Sequence, residues 1–170
     1  IYEKLVYGVE FASFASLSED AFRRTLTVNG FSKAYAMTGW RLGYSAGPKD
    51  LIAAMTLVQG QSTSGAASIV QKSAVKALEI SDKDLAPMVE AFRRRRDNMS
   101  EIFSRCSKCS FVAPMGAFYL FLNVERLAGR TYNKEGKPEV LRGSEDLAFH
   151  LLDESQVVTV PGAGFGADGY

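Results

Sequence analysis

Apolar positions along this chain alternate between a two-residue period and a three-to-four-residue period, which predicts strands and helices in one sequence. Thr25-Leu26-Thr27-Val28 has the β-branched pattern of a buried strand, and Arg41 to Ala46 reads as a second strand. Ahead of them, Val9 to Asp20 reads as a loop or short helix around Phe11 and Phe14. Gly47-Pro48-Lys49-Asp50 is a turn into a helix with Leu51, Met55 and Val58 on its apolar side. The polar run Gln59 to Gly65 is expected to interrupt that helix and open another, packed through Ile69, Val70, Ala74, Ala77 and Leu78. From Asp82, Leu85, Met88, Val89, Phe92, Met99, Ile102 and Phe103 recur at helical steps, with Pro87 placed in the first turn.

The remainder reads as a small α+β unit. Ser110-Phe111-Val112 is a short strand, Pro114 to Ala117 a turn, and Phe118 to Leu122 a strongly apolar strand. Arg130 to Gly143, polar and interrupted by glycine and proline, is expected to be a mobile surface loop. Ser144-Glu145-Asp146 has the composition of a helix start, backed by Leu147, Leu151 and Leu152. Val157 to Val160 reads as a last strand, ended by Pro161-Gly162.

Composition narrows the class. The 170 residues are 46% hydrophobic and 23% charged, the balance of one ordinary globular unit or two small ones. A net charge of +1 gives no electrostatic case for nucleic acid or an anionic membrane. No apolar run approaches a bilayer span. Two cysteines do not make a disulfide scaffold and are compatible with a reducing compartment. The start at Ile1 and the glycine-rich end at Tyr170 are read as those of a piece of a longer protein.

The chemistry concentrates between the two predicted strands, in Asn29 to Tyr44. Lys33 sits in their connection, beside the Ser32 hydroxyl and eight positions before Arg41. A partly desolvated ammonium loses its proton more readily and becomes an amine able to attack a carbonyl, the start of Schiff-base chemistry. Arg41 offers a planar fork of donors to an anionic oxygen cluster. Gly30 and Gly39 let backbone approach a ligand closely. An amine, a hydroxyl and a phosphate-type arginine point together to a phosphorylated aldehyde. This reading fails if the folded chain puts Lys33 and Arg41 on opposite sides of the molecule with no shared cavity.

Gly30-Phe31-Ser32-Lys33, Ala36-Met37, Gly39 and Arg41-Leu42-Gly43 resemble the pyridoxal-phosphate lysine signature of the class I and II aminotransferases, in the wording of the prokaryotic-type aspartate aminotransferase branch. Pro114 to Tyr119 and Val160 to Gly166 resemble small-domain motifs of the same family. The resemblance implies an α/β, PLP-transferase-like fold (fold type I). Residues 1–84 would end the large cofactor-binding domain, 85–106 would be the connecting helix, and 107–170 an incomplete small domain. It implies pyridoxal 5'-phosphate as cofactor, held by Lys33 as the catalytic residue and by Arg41, Tyr2 and Ser32. Tyr2 corresponds to a tyrosine whose hydroxyl bonds the cofactor's phenolic oxygen. The aspartate that keeps the pyridine protonated would precede Ile1, and the arginine that grips the substrate carboxylate would follow Tyr170, so this segment alone is expected to be inactive. Gly30 stands where many relatives carry a further phosphate-binding serine, and the Gln59 to Gly65 region would approach a partner subunit's cofactor phosphate.

The implied activity moves an amino group between an amino acid, aspartate by branch resemblance, and a 2-oxo acid, with ping-pong kinetics, in a cytoplasmic homodimer. The same lysine signature serves aromatic-amino-acid aminotransferases and β-lyases, and a non-catalytic scaffold is the reading from a different class. Other motifs carry less. Arg93 to Arg96 point around the helix and form no single face, so a solvated helix with Glu90 and Asp97 as partners is expected. Cys106-Ser107-Lys108-Cys109 has C-x-x-C spacing, but zinc needs further ligands and His150 is distant, so two unremarkable thiols are expected. His150 reads as a packed or surface helix residue, and Tyr35 and Trp40 as core aromatics rather than cofactor-stacking rings.

Overall fold

The computed structural model describes residues 1–134 and 136–170. The chain divides into two compact units, Ile1–Arg93 with Met115–Phe118, and Arg94–Pro114 with Tyr119–Tyr170.

In the first unit a 3₁₀ turn at Phe14–Ser16 leads into α1 (Glu19–Arg24). Ser18 caps α1 by accepting from the Ala21 N–H at 3.0 Å, and Glu19–Arg23 and Asp20–Arg24 pair one turn apart along it. Strand β1 (Thr27–Gly30) pairs antiparallel with β2 (Gly43–Ala46), in the register Thr27↔Ala46 to Gly30↔Gly43. The first strand starts later than its β-branched run predicts, because Thr25 ends α1 and its hydroxyl donates to the Ala21 carbonyl. Nor is it buried throughout: Val28 is 69% exposed, as a two-stranded ribbon has no further layer over that face.

Helix α2 (Lys49–Ser62) runs through Gln59 and Gly60, where a loop was expected. Its end is set by backbone geometry. The Thr63 and Ser64 N–H groups both reach the Gln59 carbonyl at 3.1 Å, and Ser64 takes a left-handed φ of 64°. Helix α3 (Ser68–Leu78) buries Ala74 and Ala77 against Phe31, with Tyr35, Met37 and Leu42 around them. The β1–β2 connection is thereby fixed to a helix by small residues that permit close approach.

Helix α4 (Asp82–Ser104) contributes residues 82–93 to the first unit and 94–104 to the second. Asp84 accepts from the Ser81 N–H at 3.2 Å and hydroxyl at 2.8 Å, a side chain reaching back over the helix start. Pro87 therefore lies in the helix interior rather than the first turn, where its missing N–H removes one intrahelical bond. Residues 115–118 return to the first unit. Val6 and Gly116 form an antiparallel bridge, the Ala117 N–H donates to the Leu5 carbonyl at 2.9 Å, and the buried Tyr7 donates its hydroxyl to the Ala117 carbonyl.

The second unit holds β3 (Ser110–Phe111) paired with β4 (Leu122–Asn123), the hairpin β5 (Thr131–Lys134) and β6 (Lys137–Val140), and α5 (Ser144–Ser155). Arg96 donates to the Pro114 carbonyl at 3.2 Å and pairs with Asp97, while Arg93 pairs with Glu90, the local partners expected for the arginine run.

Three expectations change here. Phe118 to Phe121 form no strand, since from Phe118 to Asn123 only Leu122 and Asn123 find a ladder partner among the described residues. The 130–143 stretch, expected as a mobile loop, is an ordered hairpin among its described residues, residue 135 lying outside them. Tyr132 faces Glu139 across it and Gly136 supplies a left-handed φ of 83°. Val157 to Val160 have the strand composition but find no ladder partner among the described residues, and Val158 is 78% exposed. At the chain's end a 3₁₀ turn, Gly162–Phe165, is closed by the Gly162 N–H on the Tyr170 carbonyl at 2.7 Å.

Candidate functional site

The connection between β1 and β2 carries Ser32, Lys33 and Arg41. Its two ends are held together by the strand ladder and by the Phe31 N–H on the Leu42 carbonyl at 3.2 Å. Inside it the buried Phe31 and Ala34 point into the first unit, which leaves Ser32 and Lys33 half-buried between them. Two non-glycine residues of this connection are left-handed, Ala36 at φ 54° and Arg41 at φ 53°. Each such residue costs about 1–2 kcal/mol, a strain of the kind that concentrates at functional sites.

The Lys33 ammonium lies 5.5 Å from the centre of the Phe118 ring. Tyr2 meets the same ring edge-on, at 5.5 Å between centroids and 84° between planes. Phe92 stacks on it at 5.3 Å. Tyr2 and Lys33 are thus gathered around one aromatic residue supplied by the returning segment 115–118. The sequence reading gave Phe118 no role. Its signal was there, in the Pro-x-Gly-Ala-Phe-Tyr motif of the small-domain resemblance.

Arg41 is placed differently. It is exposed, and its guanidinium donates to the Thr38 carbonyl at 2.8 Å, so among the described residues most of its donor fork remains available. The structure joins Lys33 and Arg41 through one connection, with different neighbours for each. It holds a cavity of about 210 Å³, but Val124, Leu127, Leu141, Ser144 and Leu147 of the second unit line it, and none of Tyr2, Ser32, Lys33 or Arg41 does.

Around the connection, burial pushes the Tyr35 phenol up, opposed by the nearby Lys4 charge. The Asp82 carboxylate, 2.7 Å away, raises Lys4 against a smaller effect of burial. Tyr35 packs on Phe31 at 5.5 Å, as a core aromatic would, whereas Trp40 is 47% exposed and belongs to no core. His150 packs on Tyr132 at 4.3 Å between ring centroids.

An amine, an adjacent hydroxyl, a phenol sharing the amine's aromatic neighbour and an open guanidinium make a donor set that fits a phosphorylated aldehyde. No group of three or more metal-ligating side chains is gathered among the described residues, and no helix among them is long and apolar enough to cross a membrane.

The fold is that of the fold type I, pyridoxal-phosphate-dependent aminotransferases. It is similar to the crystal structure of the aspartate aminotransferase from Rhizobium meliloti, with a TM-score of 0.87 and 41% identity over 98% of this chain and 41% of that one. It is also similar to the aromatic aminotransferase from Pyrococcus horikoshii OT3, with a TM-score of 0.83 and 35% identity over 99% of this chain and 42% of that one. Residues 1–170 match the family described as aminotransferase class I and II, and the chain belongs to that family.

Among curated relatives, a bifunctional aspartate aminotransferase and glutamate/aspartate-prephenate aminotransferase of Petunia hybrida is 48% identical, over 99% of this chain and 35% of that protein. A probable aspartate/prephenate aminotransferase of Rickettsia bellii is 43% identical, over 100% of this chain and 42% of that protein. The chain therefore spans well under half the length of either relative.

Proposed function

We propose that the protein is a transaminase whose lysine is Lys33, moving an amino group between an amino acid, with aspartate first, and a 2-oxo acid. The observation that carries this is the placing of the Lys33 amine beside an aromatic ring that Tyr2 also touches, on a connection that ends at Arg41. Bound there, pyridoxal 5'-phosphate supplies an aldehyde that condenses with amines and a ring that accepts electrons. Lys33 would hold the cofactor through its Nζ and would move the substrate's α-proton as general base and then general acid. Arg41 anchors the phosphate through the fork left open beside Thr38, and the Ser32 hydroxyl donates to it. Tyr2 orients the cofactor through its hydroxyl.

The same reading divides the chain into the end of a large domain (1–84), a connecting helix (85–106) and part of a small domain (107–170), acting as a cytoplasmic homodimer. The relatives' names favour aspartate as donor and prephenate among the acceptors. The likeness to an aromatic aminotransferase favours aromatic donors as the second reading.

The test is cofactor uptake by the full-length protein. Pyridoxal phosphate should turn it yellow, borohydride should bleach it, and the label should be recovered on Lys33. Lys33→Ala should abolish both the label and turnover. A colourless protein, or transamination that survives Lys33→Ala, overturns the assignment. A donor panel separates aspartate from aromatic amino acids and from β-elimination.

A further inference from the structure

The turn that leaves α4 carries the chain's two cysteines, and the transamination reading uses neither. The Cys106 N–H donates to the Phe103 carbonyl at 3.0 Å and ends the helix. Ser107 and Lys108 form the bend, and Cys109 leads directly into β3. A turn of this length brings its end Cα atoms within about 7 Å, close to the span a disulfide bridges.

The Arg126 guanidinium braces the bend by donating to the Ser107 carbonyl at 3.2 Å. Lys108 and Arg126 place two cations beside it, and Arg105 is held by Glu101. Both thiols are free; Cys106 is exposed and Cys109 half-buried. They differ in character. The Lys108 backbone N–H, and after it the Cys109 thiol, donate to the Cys106 sulfur and hold Cys106 below the ordinary thiol range. Burial pushes Cys109 up. An exposed thiol held below its ordinary range, with a second, half-buried thiol at the other end of one four-residue bend, is the arrangement of an attacking and a resolving cysteine. Zinc is a poorer match, because no third ligand is gathered around the pair among the described residues.

We propose that Cys106 and Cys109 are a reversible redox pair, with Cys106 as the attacking sulfur and hydrogen peroxide as the oxidant. The Cys106 thiolate attacks one peroxide oxygen. The O–O bond breaks, and hydroxide leaves and takes up the proton that Cys106 released, giving water and a sulfenic acid on Cys106. The Cys109 sulfur then attacks the Cys106 sulfur. The S–O bond breaks, the S–S bond forms, and the oxygen departs as a second water with the Cys109 proton. Two thiols are oxidised and one hydrogen peroxide is reduced to two waters. A dithiol reductant reverses the bond by exchange.

The test is thiol mapping on the purified full chain treated with about one equivalent of hydrogen peroxide. The intact mass should fall by two hydrogens, both cysteines should escape alkylation, and digestion should release a Cys106–Cys109 linked peptide that dithiothreitol opens. Cys109→Ser should stop at a sulfenic acid on Cys106 that dimedone traps. Cys106→Ser should react with peroxide about tenfold more slowly. Thiols that remain alkylatable, oxidation of Cys106 to sulfinic acid without the two-hydrogen loss, or a bond found only between chains each overturn the proposal.

Discussion

The ammonium of Lys33 and the ring of Phe118 come together at 5.5 Å although they lie far apart in sequence. A cation over a ring face at this distance is worth about 0.5–1 kcal/mol where solvent reaches it. A double-mutant cycle built from Lys33→Met and Phe118→Leu should therefore show a coupling of that size in urea unfolding. Phe118→Ala, which also removes the ring contacts to Tyr2 and Phe92, should destabilise by about 2 kcal/mol. Additive single effects in the cycle would mean the two side chains are only neighbours.

Lys4 and Asp82 predict an alkaline loss of stability. The Asp82 carboxylate raises Lys4 above its ordinary value of 10.5 in the folded chain, burial opposing. A lysine raised on folding stabilises fully below its unfolded value, and that contribution disappears as pH rises through the folded value. The side chains are 34% and 80% exposed, so screening limits the pair to about 0.5 kcal/mol. Asp82→Asn should lower the urea midpoint slightly near neutral pH and leave it unchanged above the lysine's titration. An equal deficit at both pH values would assign the effect to the start of α4 instead.

How much of this was legible in the sequence depends on where each constraint lies. The Lys33 connection could be read because its lysine, hydroxyl, glycines and arginine lie within a few residues, bounded by strand patterns. The long helix from Asp82 was equally plain from its period. The placing of Phe118 was not, because it depends on the bridge from Val6 to Gly116, a pairing between distant segments that no local pattern encodes. Val157 to Val160 show the converse. Their composition is that of a strand, but a strand exists only when a partner supplies its hydrogen bonds. The stop of α2 at Ser62 rather than Gln59 followed from a left-handed Ser64, a conformation serine composition does not announce.

Arg41 should show stability and ligand affinity moving apart. Its φ of 53° and ψ of 50° would suit glycine, and its side chain donates only to the Thr38 carbonyl among the described residues. Arg41→Gly relieves about 1 kcal/mol of backbone strain while adding comparable unfolded-state entropy, so unfolding should shift by less than about 1 kcal/mol. Loss of the guanidinium should weaken pyridoxal phosphate binding by at least about tenfold, the effect of one lost charge-assisted contact of roughly 1.5–3 kcal/mol. Absorbance titration of the full-length protein reads the affinity. Unchanged affinity would remove Arg41 from the phosphate site.

Gly43 and Gly39 offer a paired test of whether the β1–β2 ladder positions the lysine connection. A Cβ built on Gly43 would come within 2.9 Å of the Asn29 carbonyl, a backbone atom that cannot swing aside, whereas one on Gly39 meets nothing within 4 Å. Gly43→Ala must therefore push the strands apart at the pair Gly30↔Gly43, where the connection carrying Ser32, Lys33 and Arg41 begins and ends. Overpacking of this kind destabilises by about 1–3 kcal/mol, while Gly39→Ala in the 3₁₀ turn Thr38–Trp40 should stay within about 0.5 kcal/mol. If the ladder sets the connection, cofactor uptake should fall in Gly43→Ala and persist in Gly39→Ala, under conditions where both variants remain folded. Equal uptake by the two would show that packing of Phe31 against Ala74 and Ala77 holds the lysine in place without help from the strands.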